Sequence, residues 1–174
     1  MRQLMLLRHG KAVPPEGMAD EARPLAKRGR KAAAAIGAFM AANRLTPDLA
    51  LVSPARRTLE TWELLSSALT KPPPSRPEPR LYAAPAETLL QMVRATPADV
   101  SALLLIGHNP GLEQFAHALI GSGAAEAMAR FAGKMPTASL AVIELALNDW
   151  RRAEPKRGRL ELFATPKSLG AGEE

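Results

Sequence analysis

Two stretches of this chain carry the same pattern, and it narrows the possible folds. LMLLRHG, residues 4–10, runs four apolar residues into Arg8, His9 and Gly10. LLLIGHNPG, residues 103–111, runs a second apolar segment into Gly107, His108, Asn109 and Pro110. A short apolar run bounded by turn residues reads as a strand buried on both faces. Strands of that kind belong to parallel sheets covered by helices above and below. The chain has three histidines, and two of them stand where these runs end.

The rest of the sequence alternates in the same sense. Strands are expected over residues 3–7, 48–53 and 102–106, with a short one over 80–82 and late ones over 139–145 and 159–163. Helices are expected over 24–43, where Ile36, Phe39 and Met40 share a face, and over 54–69. Two more fall over 85–95, with Leu89, Leu90 and Val93 turned inward, and over 112–120. Residues 11–23 read as a loop broken by Pro14, Pro15 and Gly17, residues 70–79 as a proline-rich connector, and residues 148–159 as a polar turn. Alternation of this sort predicts an α/β fold: a single three-layer domain over residues 1–167, with a mainly parallel central sheet and helices on both faces. Residues 168–174 are expected to form a disordered tail.

Composition excludes several classes. Without cysteine there are no disulfides and no thiolate metal sites. No stretch approaches the ~20 apolar residues of a membrane span, and the opening apolar run is shorter than a signal-peptide core. A soluble, cytoplasmic protein is expected. The 23 basic and 17 acidic residues leave a charge of +6, which favours anionic partners. Aromatic residues make up only 4%, too few for base stacking, and no zinc-finger or RNP-type spacing occurs, so nucleic acid is not the expected partner.

In a parallel sheet, ligands bind beyond the carboxyl ends of the strands. Arg8-His9-Gly10, Ser53-Pro54 and Gly107-His108-Asn109-Pro110 fall there. Ser53 and Asn109 are suitable N-caps, with Pro54 and Pro110 at the first helical position. Two helix N-termini, which attract phosphate, would then face one crevice. Arg57 lies in the first turn after Ser53, and Thr61 shares its face. Two arginines and two histidines, with no carboxylate cluster nearby, suit a doubly charged anion such as phosphate. A neutral histidine can attack phosphorus through nitrogen, and a protonated one can stabilise charge on the transferring oxygens. Each feature alone has a structural explanation: a strand-end histidine, a surface arginine, a helix start. His117, inside a helix, is read as structural.

The joint pattern resembles a family. LMLLRHGKA, SPARRTLET and LLLIGHNPG, in that order, are similar to the histidine phosphatase superfamily, which also contains the phosphoglycerate mutases. DEARPLAKRGRKAA and LELFATPKSL resemble its small SixA-type branch, the phosphohistidine phosphatases. The resemblance implies a phosphoglycerate mutase-like fold in which His9 attacks phosphorus to form a phosphohistidine enzyme intermediate. It implies that Arg8 and Arg57 hold the phosphoryl oxygens, that His108 completes the pocket, and that Gly10, Ser53, Asn109 and Arg23 contribute to substrate binding. Neither a metal nor an organic cofactor is implied.

One departure bears on the substrate. Mutase-like members carry a glutamate general acid where this chain has Leu81-Tyr82-Ala83, and the nearest carboxylate, Glu87, stands at a helix start. Without an acid, alcohol leaving groups are disfavoured, because they need a proton as they depart. Short loops likewise suit an open pocket. The expected activity is hydrolysis of phosphohistidine, carried by a protein of the histidine phosphotransfer type, by a monomeric enzyme. The alternatives are a small-molecule phosphomonoesterase or mutase of the same superfamily, and a non-catalytic module that binds phosphate or nucleic acid.

Overall fold

The structure is a computed structural model that describes residues 1–171. Its centre is β1 (Arg2–Arg8), whose Leu4, Met5, Leu6 and Leu7 are wholly buried. Alternate side chains of this strand enter different cores: Leu4 and Leu6 one, Met5 and Leu7 the other. That two-sided burial explains the unbroken apolar run. Beside β1 lies β4 (Ala102–Gly107), parallel and in register from Gln3 opposite Ala102 to Arg8 opposite Gly107.

The sheet continues outward from this pair. Its order is β3-β2-β4-β1-β6-β7-β5, with β2 (Leu49–Val52), β3 (Ser75–Pro77), β5 (Ile120–Gly123), β6 (Leu140–Leu145) and β7 (Gly158–Ala164). Among the described residues only β6 runs against the rest, pairing antiparallel with β1 and β7. The first face is covered by α1 (Lys27–Ala42) and α2 (Arg56–Ser66), through Ile36, Met40 and Leu65. The second is covered by α3 (Ala86–Arg94), α4 (Gly111–Leu119) and α5 (Ala125–Phe131), through Leu89, Phe115 and Phe131. The expected three-layer α/β arrangement is therefore present. Among the described residues, no helix is long and apolar enough to cross a membrane.

Several local expectations are corrected. Residues 80–82 do not form a strand: Pro79–Leu81 is a 3-10 turn whose start is capped by the Glu78 carboxylate accepting from the Arg80 amide. The strand instead lies inside the proline-rich connector, at Ser75–Pro77, on the sheet edge where a missing N–H is tolerated. Ile120, expected to end a helix, instead opens the Gly-rich strand β5, whose residues 121–123 carried no expectation. A Cβ on Gly121 would stand 2.0 Å from the Lys156 carbonyl oxygen, so only glycine permits this approach. Helix α5 was not expected at all. Within the polar turn, Trp150 is buried and donates to the Val100 carbonyl at 2.6 Å. Of the segment expected to be a disordered tail, Ser168–Gly170 form a turn in which Leu169 packs on the core, and residues 172–174 lie outside the described residues.

Candidate active site

The register of β1 and β4 brings their ends together. The rings of His9 and His108 lie 5.2 Å apart, and both residues are only 8% exposed. Between and above them opens a cavity of about 230 Å³. Arg8, Arg23, Arg57 and Lys11 supply its cations, His9 and His108 its ring nitrogens, and Asn109 and Thr137 further polar lining. A larger depression of about 660 Å³ lies around Leu147, Arg152 and Arg157, at the opposite end of the sheet, and holds no histidine.

Hydrogen bonds define which nitrogen each histidine offers. His9 Nδ1 stands 2.7 Å from the Gly10 carbonyl oxygen, which can only accept, so Nδ1 carries the proton and Nε2 the lone pair. Arg57 Nε donates to that Nε2 at 3.3 Å. Another Arg57 nitrogen, Nη2, lies 3.3 Å from His108 Nδ1 and can only donate, so Nδ1 is the acceptor there and His108 Nε2 donates to Ser53 Oγ at 2.7 Å. Burial first, with the nearby arginines adding to it, lowers the His9 pKa to about 3 and that of His108 to about 4. Both rings are therefore neutral at pH 7. The protonated His108 expected from sequence is thus not its resting state, and a bound dianion would be needed to favour it.

Arg8 donates to the Met135 carbonyl at 3.1 Å, while its buried Nε has no partner among the described residues. A buried donor left unpaired is costly, and the rest of the guanidinium borders the cavity. Arg23 commits Nε to the Val13 carbonyl and Nη1 to Asp20, yet still lines the cavity.

Of the remaining predicted residues, Asn109 lines the cavity, while Gly10 and Ser53 act at one remove. Gly10 does not line the cavity: its amide donates to Thr61 Oγ1 at 3.1 Å and its carbonyl holds His9. A Cβ there would stand 2.7 Å from the Gly29 carbonyl oxygen, so Gly10 is needed for the close approach of α1. Ser53 and Asn109 are not N-caps. The helices begin later, with Ala55 and Pro110 at the cap positions and no side-chain cap at either. Ser53 is fully buried and its hydroxyl holds His108. Asn109, joined to Pro110 by a cis peptide, uses its amide nitrogen on the Met135 carbonyl at 2.9 Å and its oxygen on the Glu113 amide at 3.2 Å. Glu87 is exposed and borders a different depression, beside Leu90 and Phe115. His117 is exposed on α4 and lies outside the cavity.

Sequence reasoning missed two residues. The site is not free of carboxylates: Asp20 accepts from Arg57 Nη2 at 3.0 Å, from Arg23 Nη1 at 2.9 Å and closely from the Tyr82 hydroxyl. Its backbone carbonyl also accepts from Arg57 Nη1 at 2.8 Å. Tyr82 sets its ring edge-on to His108, 5.4 Å away. The Tyr82 hydrogen bond, followed by those of Arg23 and Arg57, holds the Asp20 carboxyl well below the usual carboxylate range. Asp20 sits in a loop with no periodic pattern; it opens the DEARPLAKRGRKAA segment of the SixA resemblance, but no spacing along the chain ties it to Arg57.

Comparison with known proteins agrees with this arrangement. The sequence pattern of the histidine phosphatase superfamily (branch 1) matches residues 4–82. An uncharacterized protein of Mycobacterium tuberculosis is 34% identical over 163 residues, covering 92% of this chain and all of the relative. The crystal structure of a candidate phosphohistidine phosphatase SixA from Agrobacterium tumefaciens is similar over 95% of this chain and 98% of its own, with 31% identity and a TM-score of 0.80. The protein histidine phosphatase SixA complexed with tungstate shares the fold over 96% of this chain and 99% of its own, with 22% identity and a TM-score of 0.76. With an end-to-end relative, a SixA-like structure and the paired strand-end histidines, this chain belongs to the histidine phosphatase superfamily, branch 1.

Proposed function

We propose that the protein hydrolyses phosphohistidine through a phosphorylated His9. The reading rests chiefly on one observation: a neutral imidazole whose Nδ1 proton is held by Gly10 directs its Nε2 lone pair into a cavity bounded by Arg8, Arg57 and His108. A dianionic phosphoryl group between Arg8 and Arg57 would take over the long Arg57–His9 contact, freeing Nε2 to attack phosphorus. His108 Nδ1, already facing Arg57, is the atom placed to meet a phosphoryl oxygen once the bound charge favours its protonation. Water then releases phosphate from His9.

The choice of phosphohistidine follows from the lining. Among the described residues it contains no carboxylate, and Asp20 beside it is held ionised, so no carboxylic acid stands ready to protonate an alkoxide. Likeness to the SixA structures supports the same substrate. The protein acts as a monomer, on a histidine phosphotransfer-type protein, without a resident metal or organic cofactor. The test is phosphate release from such a phosphorylated protein, with EDTA present, by wild type and His9→Ala. Release by wild type alone is expected. Release by neither would redirect the substrate search to small phosphate esters.

A further inference from the structure

Asp20 stands on the solvent side of Arg57: its side chain is 44% exposed, against 7% for the arginine. It is the carboxylate bound to two cations of the cavity, Arg23 and Arg57, and to the tyrosine beside His108. Phosphoryl transfer places nucleophile and leaving group roughly in line across phosphorus. With His9 buried at the cavity floor, the leaving group projects toward the mouth. Asp20 does not line the cavity but is held beside it by two lining arginines, Arg23 and Arg57, and its Oδ1 accepts from Arg23 alone among the described residues and keeps a lone pair free.

We infer that Asp20 is a specificity-determining residue that selects phosphoramidates with a protonated ring nitrogen over phosphate esters that depart as anions. The inference rests on the phosphohistidine reading above and adds the residue that discriminates. In the step itself, the bond from His9 Nε2 to phosphorus forms and the bond from phosphorus to the substrate's ring nitrogen breaks. The electron pair stays on that nitrogen. If the ring's other nitrogen already carries a proton, the ring leaves as neutral imidazole; without it, an imidazolide would have to depart. A fixed anion at the mouth holds that proton in place and repels a developing phenolate or alkoxide.

The test compares phosphoimidazole with p-nitrophenyl phosphate, whose leaving group needs no proton. In Asp20→Asn, kcat/KM for phosphoimidazole is expected to fall about fivefold, the effect of one partly exposed charge contact. The alkaline limb of its pH profile should also move to lower pH, while p-nitrophenyl phosphate is hydrolysed as fast or faster. Tyr82→Phe, which keeps the charge and removes one donor, should leave the ratio near wild type; if Asp20→Asn does not fold, Asp20→Ser replaces it with the same expected change in ratio. Parallel losses on both substrates would overturn the inference, since Asp20 would then only orient Arg57. Parallel gains would overturn it too, since Asp20 would then compete with the phosphoryl group. A ratio changed equally by Tyr82→Phe would show geometry, not charge, to be responsible. Wild type that hydrolyses only p-nitrophenyl phosphate would overturn this inference and the phosphohistidine reading together. Wild type active on phosphoimidazole, with an unmoved ratio in Asp20→Asn, would overturn the inference alone.

Discussion

The ends of β1 and β4 are near-copies in sequence, apolar run then histidine, and they are neighbours in register. They nevertheless present opposite ring nitrogens to the shared space. His9 spends Nδ1 on the Gly10 carbonyl and offers Nε2, whereas His108 spends Nε2 on Ser53 and offers Nδ1. Arg57 touches both offered atoms. The difference shows that a histidine's role is set by what restrains its far nitrogen, here one backbone oxygen and one buried hydroxyl. Equivalence of sequence context does not make the two residues equivalent.

The largest expected effect would separate the two strand ends. His9→Ala should lower turnover by about 10³-fold or more and abolish any acid-labile phosphoryl-enzyme, because the nucleophile is gone. His108→Ala should cost roughly 10²-fold, the loss of one stabilising group, while a phosphorylated enzyme still forms in a rapid-quench experiment with labelled substrate. Equal loss of the phosphoryl-enzyme in both variants would break the comparison.

A second expectation concerns stability. Both histidines have lowered pKa values in the folded state, about 3 and about 4 against an ordinary 6.5. Between those limits the unfolded chain binds more protons than the folded one, so stability falls as pH drops below about 6.5. Thermal unfolding followed across this range should show a falling Tm, and the double variant His9→Gln/His108→Gln should flatten that slope. An unchanged slope would place the acid sensitivity elsewhere.

Smaller effects sharpen the contrast. Ser53→Ala should slow turnover by roughly tenfold, as expected when one hydrogen bond that orients His108 is lost. It should leave phosphorylation of His9 in place. At the bottom of the scale, His117→Gln should leave kcat/KM unchanged, since this exposed histidine meets Phe131 and lies away from the cavity.

Much of the frame was legible because its causes are local. A doubly buried strand must be apolar along its length, so β1 and β4 stand out, and a histidine at such an end is conspicuous. Elements whose residues carry mixed signals were not legible. Ser75–Pro77 forms a strand despite proline because it lies at the sheet edge, and Ile120–Gly123 forms one despite two glycines because another backbone crosses close by. Ser53 and Asn109 have cap-type side chains, and local propensity alone assigns them to helix starts. Tertiary partners take those side chains instead: His108 for Ser53, the Met135 carbonyl and the Glu113 amide for Asn109.

The sequence by itself determined the three-layer α/β frame and the quartet of Arg8, His9, Arg57 and His108, because periodicity and strand-end chemistry act over a few residues. Only the tertiary structure decided the tautomers, the neutral state of both histidines and the presence of Asp20 and Tyr82. Those depend on burial and on bonds between distant segments, such as Asp20 to Arg57 across 37 residues and Tyr82 to Asp20 across 62. No short-range pattern encodes a contact of that span, since its geometry exists only once the sheet has brought the loops together.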